Sequence, residues 1–475
     1  MQEIKVPELY NTLKEWTIQI ISREPLLQSF KKIILIPEDK DNGSQTLKRI
    51  SLLDLTNSYR LWKVISILEK DPEFKIFIDE IKQKDEIMHL LPEGAEASIS
   101  SANKDKGFAI DYYYSMFSFD YINELLEEQQ VNGEFKKEFW DEKKFIELYK
   151  IFEDTTLNKY RTMEFWMPLY NVNLSKEITI KENLLEDDVF LSKPGLKEKI
   201  SLNLFAPDPE NFPVADSLFG FQKHNTFEKY FLKIACKIKI GEALIFDKLL
   251  LDRWILSINI ATNGEVKCNK AIPVFRRGEV HTIPTFKTPD STSVGQIFPI
   301  TIYPFEAMHS RMFDIILIKQ EDIKNIILYG KTLKSLEKDY QIPISRYLTA
   351  NFRSKPQDVL IDAVITLESL LLYNIEDELS FRLAHRGSWI LYKNANPEKR
   401  KYIFKKLRDI YKVRSTIVHG SDDKKQLYHL ATSLVANGND ALQIIRELFR
   451  IILDNNYNKH SWDEELKKAD IVDYY

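Results

Sequence analysis

Residues 358–373, DVLIDAVITLESLLLY, are apolar on nearly every side of a helical wheel. A helix of that kind has no face to show water, so other elements must surround it, and it reads as the central helix of a bundle. The neighbouring sequence supplies the surrounding elements, since helical periodicity continues almost throughout from Ser345 to Asn455. Residues 377–391 (DELSFRLAHRGSWIL) follow after a short loop. Asn396 and Pro397 form an N-cap and first-turn pair for a helix expected to run to Val418 and stop before Gly420. Ile403, Phe404, Leu407, Ile410, Tyr411 and Ile417 make one apolar face of that helix. Residues 439–453 repeat the pattern with Leu442, Ile445, Leu448, Phe449 and Ile452.

At 475 residues the chain has room for about three domains. The expected organisation is α+β and multidomain, predominantly helical: a helical region over 1–160, an α+β middle over 161–340 and an all-α bundle over 341–475. In the first part, Leu9, Leu13, Trp16 and Ile20 fall at helical spacing, as do Ile65, Ile67 and Leu68 with Phe74, Ile76, Phe77 and Ile81. Residues 93–106 (EGAEASISSANKDK) read as a loop, and 121–152 as a further helical run with a solvated charged face. From about Met163 the period changes, and EITIKENLL, KISLNLF, KYFLKIACKIKI and FPITIYP read as strands. Residues 246–262 (FDKLLLDRWILSINIAT) are too densely apolar for an alternating strand and fit a buried helix, followed by a turn at Asn263-Gly264. Trp166, Tyr170, Phe190 and Phe205 read as core, and a helix is expected from about Ile315 to Leu336.

Charge excludes a protein that coats polyanions over its whole surface, because 67 Lys and Arg meet 71 Asp and Glu for a net −4. A nucleic-acid surface would have to be a local patch. Two cysteines, Cys236 and Cys268, build neither a disulfide framework nor a four-cysteine zinc site and read as reduced residues. No stretch approaches the roughly 20 apolar residues that span a bilayer. The opening MQEIKVPELYNTLKEW places acids early without an apolar core, unlike a secretory signal, so a cytoplasmic location is expected.

Most chemistry-bearing motifs are missing: GxGxxG, Walker A, HExxH, CxxC and GxSxG do not occur, and no metal or cofactor is expected. One arrangement remains, Arg-x4-His, at Arg414 and His419. Chance alone yields roughly 0.3 such pairs in a chain with this Arg and His content, so the spacing is weak by itself. A second copy, Arg276/Arg277 to His281, lies in a strand-like stretch and reads as accidental. The first copy sits near the end of an amphipathic helix. Five helical positions turn a side chain by about 140°, so the pair would meet only if the helix end lets His419 turn out. Between Lys393 and Arg414 nine cations, among them Lys405, Arg408 and Lys412, face two acids, enough local excess to hold a phosphate backbone. His385 and His429 read as bland.

Taken in order, the LE of Leu367-Glu368, the RLAxR spanning Arg382 and Arg386, and the YxxRSxxVHG from Tyr411 to Gly420 resemble the HEPN superfamily, most closely its Apea-like group. The resemblance covers residues 341–455. A looser one, at FWMPLYNV (165–172), concerns the regions that precede such domains and implies no activity. HEPN proteins of this kind are antiphage or toxin-type ribonucleases, including agents of abortive infection.

The resemblance implies a metal-independent endoribonuclease, with RNA as substrate and transfer RNA as the family-level choice. The ribose 2′-hydroxyl would attack the adjacent phosphorus, leaving a 2′,3′-cyclic phosphate and a 5′-hydroxyl. His419 would serve as general acid or base near neutral pH, and Arg414 would clamp the scissile phosphate. Ser415 stands where the family commonly carries Asn, Asp or His. It can hydrogen-bond a phosphate or the Arg but cannot relay a proton. Glu368 would neutralise a motif-side Arg, with Tyr411 supporting it. Arg382 and Arg386, one turn apart on one helix face, either pair with Glu368 or touch phosphate. A homodimer through the C-terminal domain is implied, and a phage-derived trigger or an antitoxin is expected to act through residues 1–340. The competing expectation is a catalytically silent RNA-binding or dimerisation module.

Overall fold

The computed structural model describes residues 4–23, 31–39, 45–53, 65–68, 70–83, 106–129, 140–158, 160–175, 182–186, 188–195, 206–207, 230–239, 248–266, 268, 270–274, 300–301, 315–353, 355–373, 375–393, 397–419 and 424–471. Helix predominates, with smaller sheets. The expected loop at 93–106 lies almost wholly outside these residues; so do the KISLNLF stretch, Phe205 and the second Arg-x4-His copy.

The first core is built by α1 (Pro7–Ile21), α2 (Pro72–Lys82), α3 (Lys106–Gln129) and α4 (Glu142–Leu157). Leu9, Leu13, Trp16 and Ile20 of α1 are buried against Tyr114 and Phe117 of α3 and Phe145, Tyr149 and Phe152 of α4. Their rings meet edge-on, as between Phe117 and Phe145 at 5.4 Å. The Asp71 side chain caps α2 through the backbone N–H groups of Glu73 and Phe74, while Arg23 donates to its other oxygen at 2.9 Å. Two expectations change here. The run at 121–152 falls in two helices, α3 and α4, and the N-terminal part is not purely helical. It includes an antiparallel pair, β1 (Lys31–Asp39) with β2 (Gln45–Leu53), extended by β7 (Ala206–Pro207). The sequence carried a cue to this hairpin: two nine-residue strands flank Asn42-Gly43, a common hairpin-turn dipeptide.

The middle sheet, in the order β10-β9-β3-β8-β6-β5, is antiparallel throughout. Its strands are β3 (Tyr160–Pro168), β5 (Glu182–Glu186), β6 (Val189–Ser192), β8 (Phe231–Lys239), β9 (Lys270–Val274) and β10 (Ile300–Thr301). Alternate residues Met163, Phe165 and Met167 of β3 point to one buried face. That core also takes in α5 (Lys248–Thr262), which is buried along most of its length, as its composition required. Asn263, with φ 53°, ends α5 in the left-handed conformation. Residues 315–319 are not helical: Ile316–Ile318 form β11, parallel to β4 (Val172–Leu174), because a parallel pairing partner outweighs helical spacing there.

The last third comprises α6 (Gln320–Phe352), α7 (Pro356–Leu371), α8 (Leu379–Tyr392), α9 (Pro397–His419), α10 (Lys424–Asp454) and α11 (Lys459–Ile471). Helix α6 kinks at Tyr340, three residues before Pro343, whose ring removes a backbone donor. Helix α7 is central, with Leu360, Ala363, Val364, Leu367 and Leu371 excluded from solvent. Its one buried acid, Asp362, receives Arg346 at 3.0 Å and Arg353 at 2.9 Å from α6 and its C-cap. Among the described residues, one hydrophobic core takes in members from Met163 to Ala469, so sheet and bundle share it. Two arginines of α10 reinforce the join: Arg446 meets Glu265 at 3.0 Å, and Arg450 donates to the Ile260 carbonyl at 2.8 Å.

Gly330 of α6 lies against Trp254 of α5, where an added Cβ would stand 2.4 Å from the indole ring. Gly330→Ala should therefore cost about 1–3 kcal/mol through overpacking at this seam. A urea unfolding curve with unchanged stability would show that the seam has slack.

Candidate active site

Helix α9 is positioned by its few buried residues. Ile403, Leu407 and Ile410 face the core, and Leu407 nests against Gly387 of α8, where a Cβ would come within 2.6 Å. Phe404, Tyr411 and Ile417 pack at its margin. Lys406 pins the same helix to α10 through Asp440 at 2.8 Å. The helix continues through His419, one residue further than its expected end.

That extra residue decides the motif's geometry. With the helix regular to His419, Arg414 and His419 differ by about 140° in direction, and the anticipated turning-out of the histidine is not what the structure shows. Arg414 is about one-fifth exposed and points toward α7, with its guanidinium 3.8 Å from the Glu368 carboxylate and over the Tyr411 ring at 5.9 Å. Its Nε is buried without a hydrogen-bond partner. Burial, then the Glu368 charge, pushes the Tyr411 phenol above its ordinary value. Glu368 thus stands within ion-pair distance of a motif-side arginine. His419 is exposed, and Ser415 is partly buried.

The basic residues divide by face. Lys405, Arg408 and Lys412 are all exposed, with Arg408 against the Phe404 ring at 5.9 Å. Arg382 and Arg386 belong elsewhere. Arg386 is buried; it grips Asp470 of α11 through two hydrogen bonds, of 3.0 and 2.5 Å, and donates to the Leu371 carbonyl at 2.8 Å. Arg382 lies 3.8 Å from Glu378 and 4.0 Å from Asp470. For Arg386, pairing is the role the structure has, and the acid is Asp470 rather than Glu368. Arg382 is about one-third exposed and meets its acids only at long range, so both of its roles stay open.

Sequence reasoning missed α11 and with it Asp470. A signal existed in Trp462, Leu466 and Ala469, which fall at helical spacing and are buried. The helix is strapped on at several points. The Trp462 indole donates to the Leu370 carbonyl at 2.7 Å, Glu465 accepts from Lys393 at 2.7 Å, and His385 Nε2 lies 2.8 Å from the Ala469 carbonyl. His385 is thus a structural group, in keeping with its bland reading. Among the described residues, no group of three or more His, Cys, Asp or Glu is placed to hold a metal ion, and no helix is long and apolar enough to cross a membrane. Comparison with family models, curated proteins and solved structures finds no match to this chain.

The α11 strap carries a pH dependence. The Arg386 hydrogen bonds hold the Asp470 carboxyl below its ordinary 3.8, and burial holds the His385 imidazole below 6.5. Both pKa values are depressed in the folded state, so the unfolded chain binds each proton first and stability falls as pH falls. The loss should begin near pH 6.5 from His385 and deepen below about pH 4 from Asp470. Thermal midpoints recorded from pH 8 to 3 check this. Asp470→Ala, which leaves Arg386 buried and unpaired, should cost about 3 kcal/mol at neutral pH.

Proposed function

We propose that this chain is a metal-independent endoribonuclease of the HEPN type, acting in antiphage defence or as a toxin. The observation that carries the reading is the last half of α9: exposed cations lead along the helix to an exposed His419, while Arg414 waits one helix face away, held by Glu368. Cations attract the phosphate backbone, and the His419 imidazole can accept or donate the proton. An arginine fork neutralises charge building on the phosphoryl oxygens. In this reading the 2′-hydroxyl is the nucleophile, so the protein needs to position, neutralise and shuttle a proton. Residues 341–475 form the ribonuclease domain, a homodimer brings two Arg/His sets to one cleft, and the preceding regions restrain it or sense a trigger.

One observation favours the second reading, a catalytically silent RNA-binding or dimerisation module. Within a single chain Arg414 is engaged by Glu368 and is turned away from His419. Activity therefore requires Arg414 to exchange Glu368 for phosphate. At 3.8 Å the contact is too long for a hydrogen bond, so a phosphate that offers the guanidinium a closer, bidentate contact competes with it.

The test is cleavage of total cellular RNA by the full chain in EDTA, with end-group analysis. Native protein should leave 2′,3′-cyclic phosphate ends. His419→Ala should lower the rate by about 10²-fold or more, the range typical of general acid–base groups. Glu368→Gln should raise cleavage a few-fold by releasing Arg414. RNA that is bound but left intact by both native and Glu368→Gln protein would favour the silent module over an unrestrained nuclease.

A further inference from the structure

Helix α9 presents a single exposed ridge that the Arg-x4-His motif does not describe. Lys401, Lys405, Arg408, Lys412, Ser415 and His419 follow one another at alternating spacings of four and three. At 100° per residue all six point within about 40° of one direction, and Lys401 and His419 coincide after five full turns. All are exposed except Ser415, which is partly buried. Arg414 is excluded, about 140° away. The ridge is about 27 Å long at 1.5 Å per residue. It bears four cations, no acid and no apolar side chain. Exposed Tyr402 stands beside it, offering a ring for a base to stack on.

Resting on the ribonuclease reading, we infer that this ridge is the track for the substrate strand: single-stranded RNA lies along α9 from Lys401 to His419. The scissile phosphate sits at the His419 end, and about four nucleotides, one phosphate per cation, extend to one side of the cut. The recognised substrate is then an unpaired segment such as a loop, held asymmetrically about the cleaved bond. A strand also suits the ridge better than a lipid surface does, because the ridge offers no apolar side chain to insert and exposed Asp409 flanks it.

The experiment uses full-length His419→Ala protein, which keeps the RNA intact, and a fluorescent unstructured 12-nucleotide RNA, with binding followed from 50 to 300 mM KCl. Four phosphate contacts predict a slope of log K against log salt of about −2.8. Adding Lys401→Ala and Lys405→Ala should halve it, to about −1.4, by removing two contacts. Adding Lys399→Ala, an exposed cation on the opposite side of α9, should leave it unchanged. In otherwise native protein, the Lys401/Lys405 double change should slow cleavage of RNAs extended on one side of the cut at least tenfold and spare those extended only on the other.

No RNA binding, an unchanged slope in the double variant, an equal effect from Lys399→Ala, or tighter binding to phosphatidylserine vesicles than to RNA would each overturn the track. The two readings fail separately. Salt-dependent binding through the ridge with no cleavage by native protein removes the nuclease and leaves the track, whereas His419-dependent cleavage indifferent to Lys401 and Lys405 does the reverse.

Discussion

The rotation of α9 about its own axis is set by three buried side chains, Ile403, Leu407 and Ile410, and everything at the candidate site follows from it. Leu407 against Gly387 admits no larger residue on the facing helix, so α9 cannot turn without opening a void or a clash. With that angle set, the regular 3.6-residue period sends Arg414 toward α7 and His419 into solvent. Burying a few apolar residues thus places the charged ones, and of those Lys406 helps to hold the helix through Asp440.

The same logic extends outward. Helix α9 is held by α7, α8 and α10, and α7 is held by α6 through the paired arginines at Asp362. Helix α10 is in turn tied to the middle region by Arg446 at Glu265 and Arg450 at the end of α5. One core with members from Met163 to Ala469 means that strain in the sheet reaches the bundle through packed atoms. A sensing role for the middle region would have a physical path here, since α10 begins a few residues after His419 and ends against the α5 region. Among the described residues the N-terminal core is a cluster of its own, rich in aromatic residues.

The ion pairs of Arg386 with Asp470 and of Arg346 and Arg353 with Asp362 fasten helices rather than form sites. Arg386 with Asp470 resembled a phosphate contact only while its partner was unknown. Burial of a guanidinium requires a carboxylate nearby, and α11 delivers it from 84 residues further along. Arg414 differs in degree: its partner Glu368 is a quarter exposed and 3.8 Å away, an arrangement a bound anion can displace.

Much of the helical architecture was legible in the residues. Helices α5, α7 and α8 and most of α9 lie where apolar spacing, Asn396-Pro397 and Asn263-Gly264 indicated, because burial on one face or all faces leaves a local periodic trace. The strand at Ile316–Ile318 was not so read, because a short apolar run acquires strand character from a pairing partner and no window of sequence names a partner so distant. The β1–β2 pair also went unread, although Asn42-Gly43 between its strands was a local cue. At the site, sequence alone determined the content of α9: its cations, its Arg-x4-His spacing and the Glu368 that answers Arg414. Only the tertiary structure decided which way each group faces, that Arg386 belongs to Asp470, and that the ridge carrying His419 and the lysines turns to solvent. The reason is that spacing sets the angles between side chains on one helix, whereas the absolute direction depends on what that helix packs against.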